Sequence, residues 1–269
     1  MPQPYRTILG LPGALAFSSF GWLARLPISM VGLGFVLLVS ARTGSYGLAG
    51  TVSAAYVLAA AVAAPLQARL ADRLGQHKII LGFAHAYSLA IGSTIVVVEA
   101  GLSTPYPQVL AGLAGAASPQ IGAYVRARWA HLLKGKPELQ TAFALEALLD
   151  EVVFMVGPPL VTVLATSFSP VAGLIAAIVS GLVGSVLLAS HRRSEPPVHG
   201  EDGAASARRP LGWATLAPVI LACVGLGVLF GGNEVVVVAF ASEQRARSVS
   251  GVLLAIWAAG SMLAALILG

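Results

Sequence analysis

The sequence predicts an all-α, polytopic transmembrane protein, and three observations support this prediction. Hydrophobic residues make up 57% of the 269 residues, charged residues only 10%, and the mean hydropathy is +0.84. Soluble domains contain about 25% charged residues, so this chain has too few to cover a water-facing surface. The charges also fall in short clusters between apolar runs of about 20 residues, the length at which a helix crosses a bilayer.

Eight apolar stretches are long enough to be predicted as spans. They cover residues 12–40, 46–70, 78–100, 105–132, 140–166, 170–190, 213–241 and 248–268. They are predicted to be helical because an unpaired backbone group in lipid costs several kcal/mol. The first stretch is too long for the apolar core of a signal peptide, so it is predicted to be the first span. The single cysteine, Cys223, excludes a disulfide framework.

The basic residues are distributed unequally between the predicted connections. Twelve lie in the N-terminal tail and the even connections: Arg6, Arg69, Arg73, Lys78, Arg126, Arg128, Lys134, Lys136, Arg192, Arg193, Arg208 and Arg209. Three lie in the odd connections: Arg42, Arg245 and Arg247. Basic loops stay in the cytoplasm, so the N-terminus is predicted to be cytoplasmic and the protein to reside in the plasma membrane.

One long polar segment divides the chain. Ser190–Pro210 is rich in proline, glycine and charge, which indicates a flexible cytoplasmic linker. The predicted domains are therefore a six-span bundle over residues 1–190, a linker over 191–212, and a partial second bundle of two spans over 213–269.

The two sides of this linker show a weak internal similarity. Gly50 precedes Tyr56 by six residues, and Gly251 precedes Trp257 by the same spacing, 201 residues later. This fits a parallel repeat of six spans whose second copy is incomplete. We therefore expect the chain to lack about four spans of a longer membrane protein.

The connection after the second predicted span reads ARLADRLGQHK, from Ala68 to Lys78. It resembles the loop between helices 2 and 3 of the major facilitator superfamily, in which the pattern is roughly Gly-x-Leu-x-Asp-Arg-x-Gly-Arg-Arg. The matching residues are Leu70, Asp72, Arg73 and Gly75. The chain departs from the pattern at Ala68, which replaces the first glycine, and at Gln76-His77, which replace the basic pair.

The resemblance extends to topology and to the fifth predicted span, where Gly157-Pro158 matches a Gly-Pro element of the family. It implies a secondary transporter that works by alternating access of two six-helix bundles. It also implies that the loop containing Asp72, Arg73, Gly75 and Lys78 is a gating loop that latches the bundles together. The alternative is an ordinary basic loop that follows a helix end.

Arg25 lies near the middle of the first predicted span and is followed by Pro27, which is expected to kink or break the helix. Ionisable groups within a span are functional candidates because they are costly in lipid. A buried cation suits either an anionic group of a substrate or a carboxylate partner on another helix. Both interpretations remain open from the sequence.

The fifth predicted span contains Glu146, Asp150 and Glu151. Glu146 and Asp150 are four residues apart and share a helix face, whereas Glu151 is rotated by about 100° from Asp150. One hypothesis is a charge network with Arg126 and Arg128 at the end of the fourth span. The other is proton coupling, since a carboxylate removed from water can take up a proton near neutral pH.

The second bundle and the aromatic residues add further candidates. Glu234 is a second candidate for proton coupling, and it follows Asn233 and a pair of glycines that can loosen a helix. Trp22, Tyr56 and Trp257 are candidates for stacking on a substrate in a central cavity. Their alternatives are packing or anchoring at the membrane interface.

No nucleotide-binding loop, hydrolase motif or zinc motif is present in the sequence, and no metal or cofactor is predicted. The sequence favours proton-coupled efflux of a small organic solute, with the lipid bilayer, the solute and protons as partners and no nucleic acid. A different class, an integral-membrane enzyme or assembly subunit, is the alternative. A third possibility is a transport-inactive fragment.

Overall fold

The computed structural model describes residues 3–198 and 213–268, and helices make up most of this part of the chain. The helices are α1 (Gln3–Leu9), α2 (Ala14–Arg25), α3 (Pro27–Thr43), α4 (Tyr46–Leu74), α5 (Gln76–Glu99), α6 (Tyr106–Ala117), α7 (Ile121–Leu132), α8 (Glu138–Ser167), α9 (Ala172–Ser190), α10 (Trp213–Glu243) and α11 (Ser250–Leu268). No strand occurs among these residues. The all-α, polytopic fold class is therefore confirmed.

Six stretches of the described chain are long and apolar enough to cross a membrane. They are Ala14–Thr43, Tyr46–Leu74, Gln76–Glu99, Glu138–Ser167, Ala172–Ser190 and Leu216–Glu243. Ser250–Gly260 is a shorter apolar helix. The first and fourth predicted spans are each divided between two helices, and the halves of the fourth are only 12 residues long.

Both divisions have a local cause. At the first, α2 ends at Arg25 and α3 begins at Pro27, whose ring leaves no N–H to continue the hydrogen-bond ladder. At the second, α6 ends at Ala117 and Pro119 lies in the connection to α7. The buried Gln67 of α4 donates its Nε2 to the carbonyls of Ala116 and Ser118, at 2.9 and 3.0 Å. Carbonyls left free at the helix end thereby gain a partner.

The α2–α3 pair forms the centre of the bundle. In its most apolar stretch 89% of the residues are buried, compared with 22% for α4. Helix α3 packs on α4, α8 and α9, and α2 packs on α9 and α7. Glycines allow the closest approaches between helices. A Cβ at Gly115 of α6 would collide with the carbonyl of Tyr56 on α4. A Cβ at Gly184 of α9 would collide with the backbone of Ala24 on α2.

The outward faces of the helices are apolar. Large hydrophobic side chains that are more than half exposed include Leu58, Val62, Leu89, Leu221 and Val228. A water-soluble protein of this size rarely exposes such continuous apolar surface, whereas lipid tails match it. The fold therefore presents buried polar groups inside and an apolar belt outside.

Candidate functional site

A buried charge network joins α2, α7 and α8. Arg25 is 4% exposed, and its guanidinium forms ion pairs with Glu146 and, at 2.6 Å, with Oδ1 of Asp150. Oδ2 of Asp150 pairs with Arg126, also at 2.6 Å. Two arginines and two carboxylates thus neutralise each other, as a low-dielectric interior requires.

Glu146 is the most constrained member of this network. It is completely buried, and its Oε1 accepts hydrogen bonds from Ser18 Oγ at 2.7 Å and Trp129 Nε1 at 2.8 Å. The helical repeat places Glu146 and Asp150 on one face of α8, so both reach Arg25. Arg25 is held from its own helix by a bond from Nε to the carbonyl of Gly21. Each of the three guanidinium nitrogens of Arg25 therefore has an acceptor within the protein.

Arg126 is the outer member of the network. Its side chain is 40% exposed, and that of its partner Asp150 is 32% exposed. Arg128, which was predicted to join the same network, lies elsewhere, because residues two apart on a helix point in different directions. The network consequently runs from a dry end at Glu146 to an accessible end at Arg126.

A cavity of about 130 Å³ lies beside this network, between α3, α8, α10 and α11. Its lining is Ser29, Glu151, Phe154, Pro158, Phe230, Asn233, Leu254, Trp257 and Ala258. Three residues predicted from the sequence therefore meet here: Glu151, Asn233 and Trp257. The cavity combines aromatic side chains with a few polar groups, which is typical of sites for small molecules.

The polar groups of the cavity are not paired with one another. Glu151 forms no hydrogen bond or ion pair with any residue that the structure describes, and the Nδ2 of Asn233 likewise has no acceptor there. Ser29, by contrast, is engaged through its hydroxyl, which lies 2.9 Å from the carbonyl of Val153 and 3.1 Å from that of Leu26. Glu151 and Asn233 are the polar lining residues open to a ligand.

Other predicted site residues lie outside the described lining of the cavity. Tyr56 is buried against Phe35 and has its hydroxyl 3.0 Å from that of Tyr87, so it packs within the bundle. Trp22 packs against the apolar core, with its Nε1 buried and unpaired among the described residues. Glu234 lies on α10, but its side chain is outside the described residues.

The loop that resembles the family motif forms a sharp turn between α4 and α5. Gly75 has φ of +91°, a conformation that L side chains rarely adopt, and it is buried. Asp72, Arg73 and Lys78 are exposed around it. Those three charged side chains are accessible to a partner surface, and their gating role stays a prediction.

The first residues of the predicted linker are anchored to this loop. Glu195 accepts a 2.9 Å hydrogen bond from the backbone N–H of His77, and both of its oxygens lie 3.1 Å from His77 Nδ1. Ser194 is buried, although Arg192 and Arg193 beside it are exposed. The sequence favoured a flexible segment, and these long-range contacts were not foreseeable from its polar composition.

Arg128 completes this anchor. It is fully buried, and it donates to Gln76 Oε1 at 3.0 Å, to the carbonyl of His191 at 2.9 Å and to Ser194 Oγ at 3.0 Å. Its guanidinium therefore joins α5, α7 and the chain that leaves α9. The sequence predicts Arg128 at the cytoplasmic end of the fourth span, but it gives no signal for these contacts with α5 and with the chain that leaves α9.

Replacing Glu195 by alanine should release the chain that leaves α9. Losing hydrogen bonds to a charged acceptor costs about 1.5 kcal/mol or more, which raises the open population by about tenfold or more. Cleavage by trypsin after Arg192 and Arg193 should accelerate by the same factor, measured by limited digestion in detergent. Val198→Ala, a change at an exposed position, serves as the control. Equal cleavage rates in wild type and Glu195→Ala would contradict this assignment.

Membrane-length helices packed around a charged network and a small cavity define a multi-pass membrane protein. A family model described as Major Facilitator Superfamily matches residues 17–269. The chain therefore belongs to the major facilitator superfamily, whose members are membrane transporters. No curated protein matches the chain in a sequence search.

Proposed function

We propose that this protein exports a small organic solute by proton-coupled alternating access. In this proposal its N-terminus and the Asp72–Lys78 loop face the cytoplasm, as the distribution of basic residues indicates. Family membership supports the transport of a small molecule, and the cavity between α3, α8, α10 and α11 is the proposed solute site.

The single observation that carries the proposal is the carboxylate of Glu151 in this cavity, which has no partner among the described residues. Ionisable groups within membrane-spanning helices are costly in lipid, and they are therefore candidates for binding protons or cations. Its neighbour Asp150 is already neutralised by two guanidinium groups. Glu151 is therefore the favoured proton carrier, ahead of Asp150 and Glu146, which are both paired with Arg25.

The charge network has a different role in this proposal. Arg25 binds carboxylates of α8 from α2, so any movement of α8 relative to α2 must stretch or re-form these ion pairs. Asp150 and Arg126 are the accessible members, and their pair is the one that can exchange partners during the cycle. The network thereby links the position of α8 to that of α2.

The test is a flux measurement with the purified chain in proteoliposomes that contain a pH-sensitive dye. An imposed pH gradient should collapse faster when a transported solute is added, from a panel of cationic, neutral and anionic compounds. Glu151→Gln should remove at least 90% of this solute-dependent proton flux, because glutamine has the shape of glutamate and no titrating group. Asp150→Asn should also lower it, by leaving Arg126 without its ion pair.

Glu138→Gln is the matched control, because Glu138 lies on the same helix and is exposed. It should behave like wild type. Wild-type proton flux in both Glu151→Gln and Asp150→Asn would overturn the coupling mechanism. Size-exclusion profiles that match wild type would show that the variants are folded.

A further inference from the structure

The cavity beside Glu151 has a composition that selects for a particular kind of solute. Apart from its polar members, the described lining consists of Phe154, Phe230, Trp257 and small or aliphatic residues. The rings of Phe230 and Trp257 meet edge to face at 4.9 Å, with an angle of 72° between their planes. The faces of such rings carry partial negative charge, which attracts a cation.

The charge of the site also favours a cationic solute. Glu151 is the one ionisable side chain in the described lining, and it has no partner there. The adjacent Arg25 and Arg126 are both engaged with carboxylates. An anionic solute could pair with Arg25 or Arg126 only by displacing their carboxylates, and it would also be repelled by the charge of Glu151. A cationic solute would instead neutralise the charge of Glu151.

The size of the cavity limits the rest of the solute. An engineered apolar cavity of about 150 Å³ holds benzene, so about 130 Å³ accommodates roughly one ring or a short aliphatic chain. Asn233 adds a second polar group, whose Nδ2 has no acceptor among the described residues. The polar groups are few and the remainder of the wall is apolar.

We infer that the solute bound beside Glu151 is a small protonated amine with an aromatic or apolar body. Its ammonium group would pair with the Glu151 carboxylate, and its body would lie against Trp257 and Phe230. This inference rests on the proposed function of the cavity as the solute site. It also supplies a physical basis for exchange, because the amine and a proton would compete for the same carboxylate.

The test uses three probes of similar shape and different charge: benzylamine, benzyl alcohol and benzoate. Binding to the full purified chain in detergent would be measured by calorimetry at pH 7, without a pH gradient. Benzylamine should bind at least tenfold more tightly than benzyl alcohol, and benzoate should bind most weakly. Glu151→Gln should weaken benzylamine about tenfold and leave benzyl alcohol unchanged, while Glu151→Asp should keep the preference for the amine.

Glu138→Gln, the exposed glutamate on the same helix, should bind all three probes as wild type does. Equal affinity for the amine and the alcohol, tighter binding of benzoate, an unchanged affinity in Glu151→Gln, or no binding of any probe would each overturn the inference. Failure of the proposed function is separate from these outcomes. Glu151-dependent binding of benzylamine without proton flux would refute coupling alone, whereas proton flux driven only by neutral or anionic solutes would refute the amine alone.

Discussion

Replacing Arg25 by methionine should lower the free energy of unfolding by about 3–5 kcal/mol, because the change leaves Glu146 as an uncompensated charge in the interior. Glu146 is completely buried, and its remaining donors are the neutral groups of Ser18 and Trp129. Methionine preserves much of the apolar volume of the arginine stem. The loss would be measured by unfolding in mixed detergent micelles.

A double-mutant cycle separates the ion pair from a general packing defect. Glu146→Gln removes the charge that Arg25 neutralises, so the double variant should be less destabilised than the sum of the two single variants. In these variants Asp150 would still form its ion pair with Arg126. Additive losses in the cycle would show that the Arg25–Glu146 contact contributes no specific coupling.

A solvent-facing ion pair in the same protein provides the comparison. Arg42 and Glu99 form two hydrogen bonds of 2.8 Å between α3 and α5, and both side chains are partly exposed. Exposed pairs contribute little because water already stabilises the separate charges. Arg42→Met should therefore leave the unfolding midpoint close to that of wild type. A loss similar to that of Arg25→Met would contradict the importance of burial.

Features that depend on the local geometry of a single helix could be predicted from the sequence. The four-residue spacing of Glu146 and Asp150 predicts a shared face, and both contact Arg25. The break at Pro27 follows from the missing N–H of proline. Local geometry determines these features, so they can be derived from neighbouring residues.

Features that depend on contacts between different helices are harder to predict from the sequence. Tyr56 and Trp257 hold equivalent positions in the proposed repeat, yet only Trp257 lines the described cavity, since Tyr56 is enclosed by α3 and α5. The bond between Glu195 and His77 joins residues 118 positions apart. No spacing rule relates such residues, so their contact emerges only from the assembled bundle.

The contact between α8 and α11 gives the second large expected effect. Gly251 of α11 lies directly on α8, where an added Cβ would be 2.5 Å from Thr162 Oγ1 and 2.8 Å from the Cα of Pro159. Backbone atoms cannot rotate away as a flexible side chain can. A valine at this position must therefore push the two helices apart, at a cost of about 1–3 kcal/mol.

Displacement of α11 also alters the proposed solute site, because Leu254, Trp257 and Ala258 of the same helix line the cavity. Gly251→Val should reduce solute-dependent proton flux in proteoliposomes at least tenfold, since it both separates Trp257 from Glu151 and obstructs sliding of α11 along α8. Gly260→Val is a matched control on the same helix, where an added Cβ would meet none of the described atoms within 4 Å. It should transport at the wild-type rate. Equal flux in the two valine variants would show that close packing at Gly251 does not limit transport, whereas loss in Gly251→Val alone would locate a conformational constraint at the α8–α11 contact.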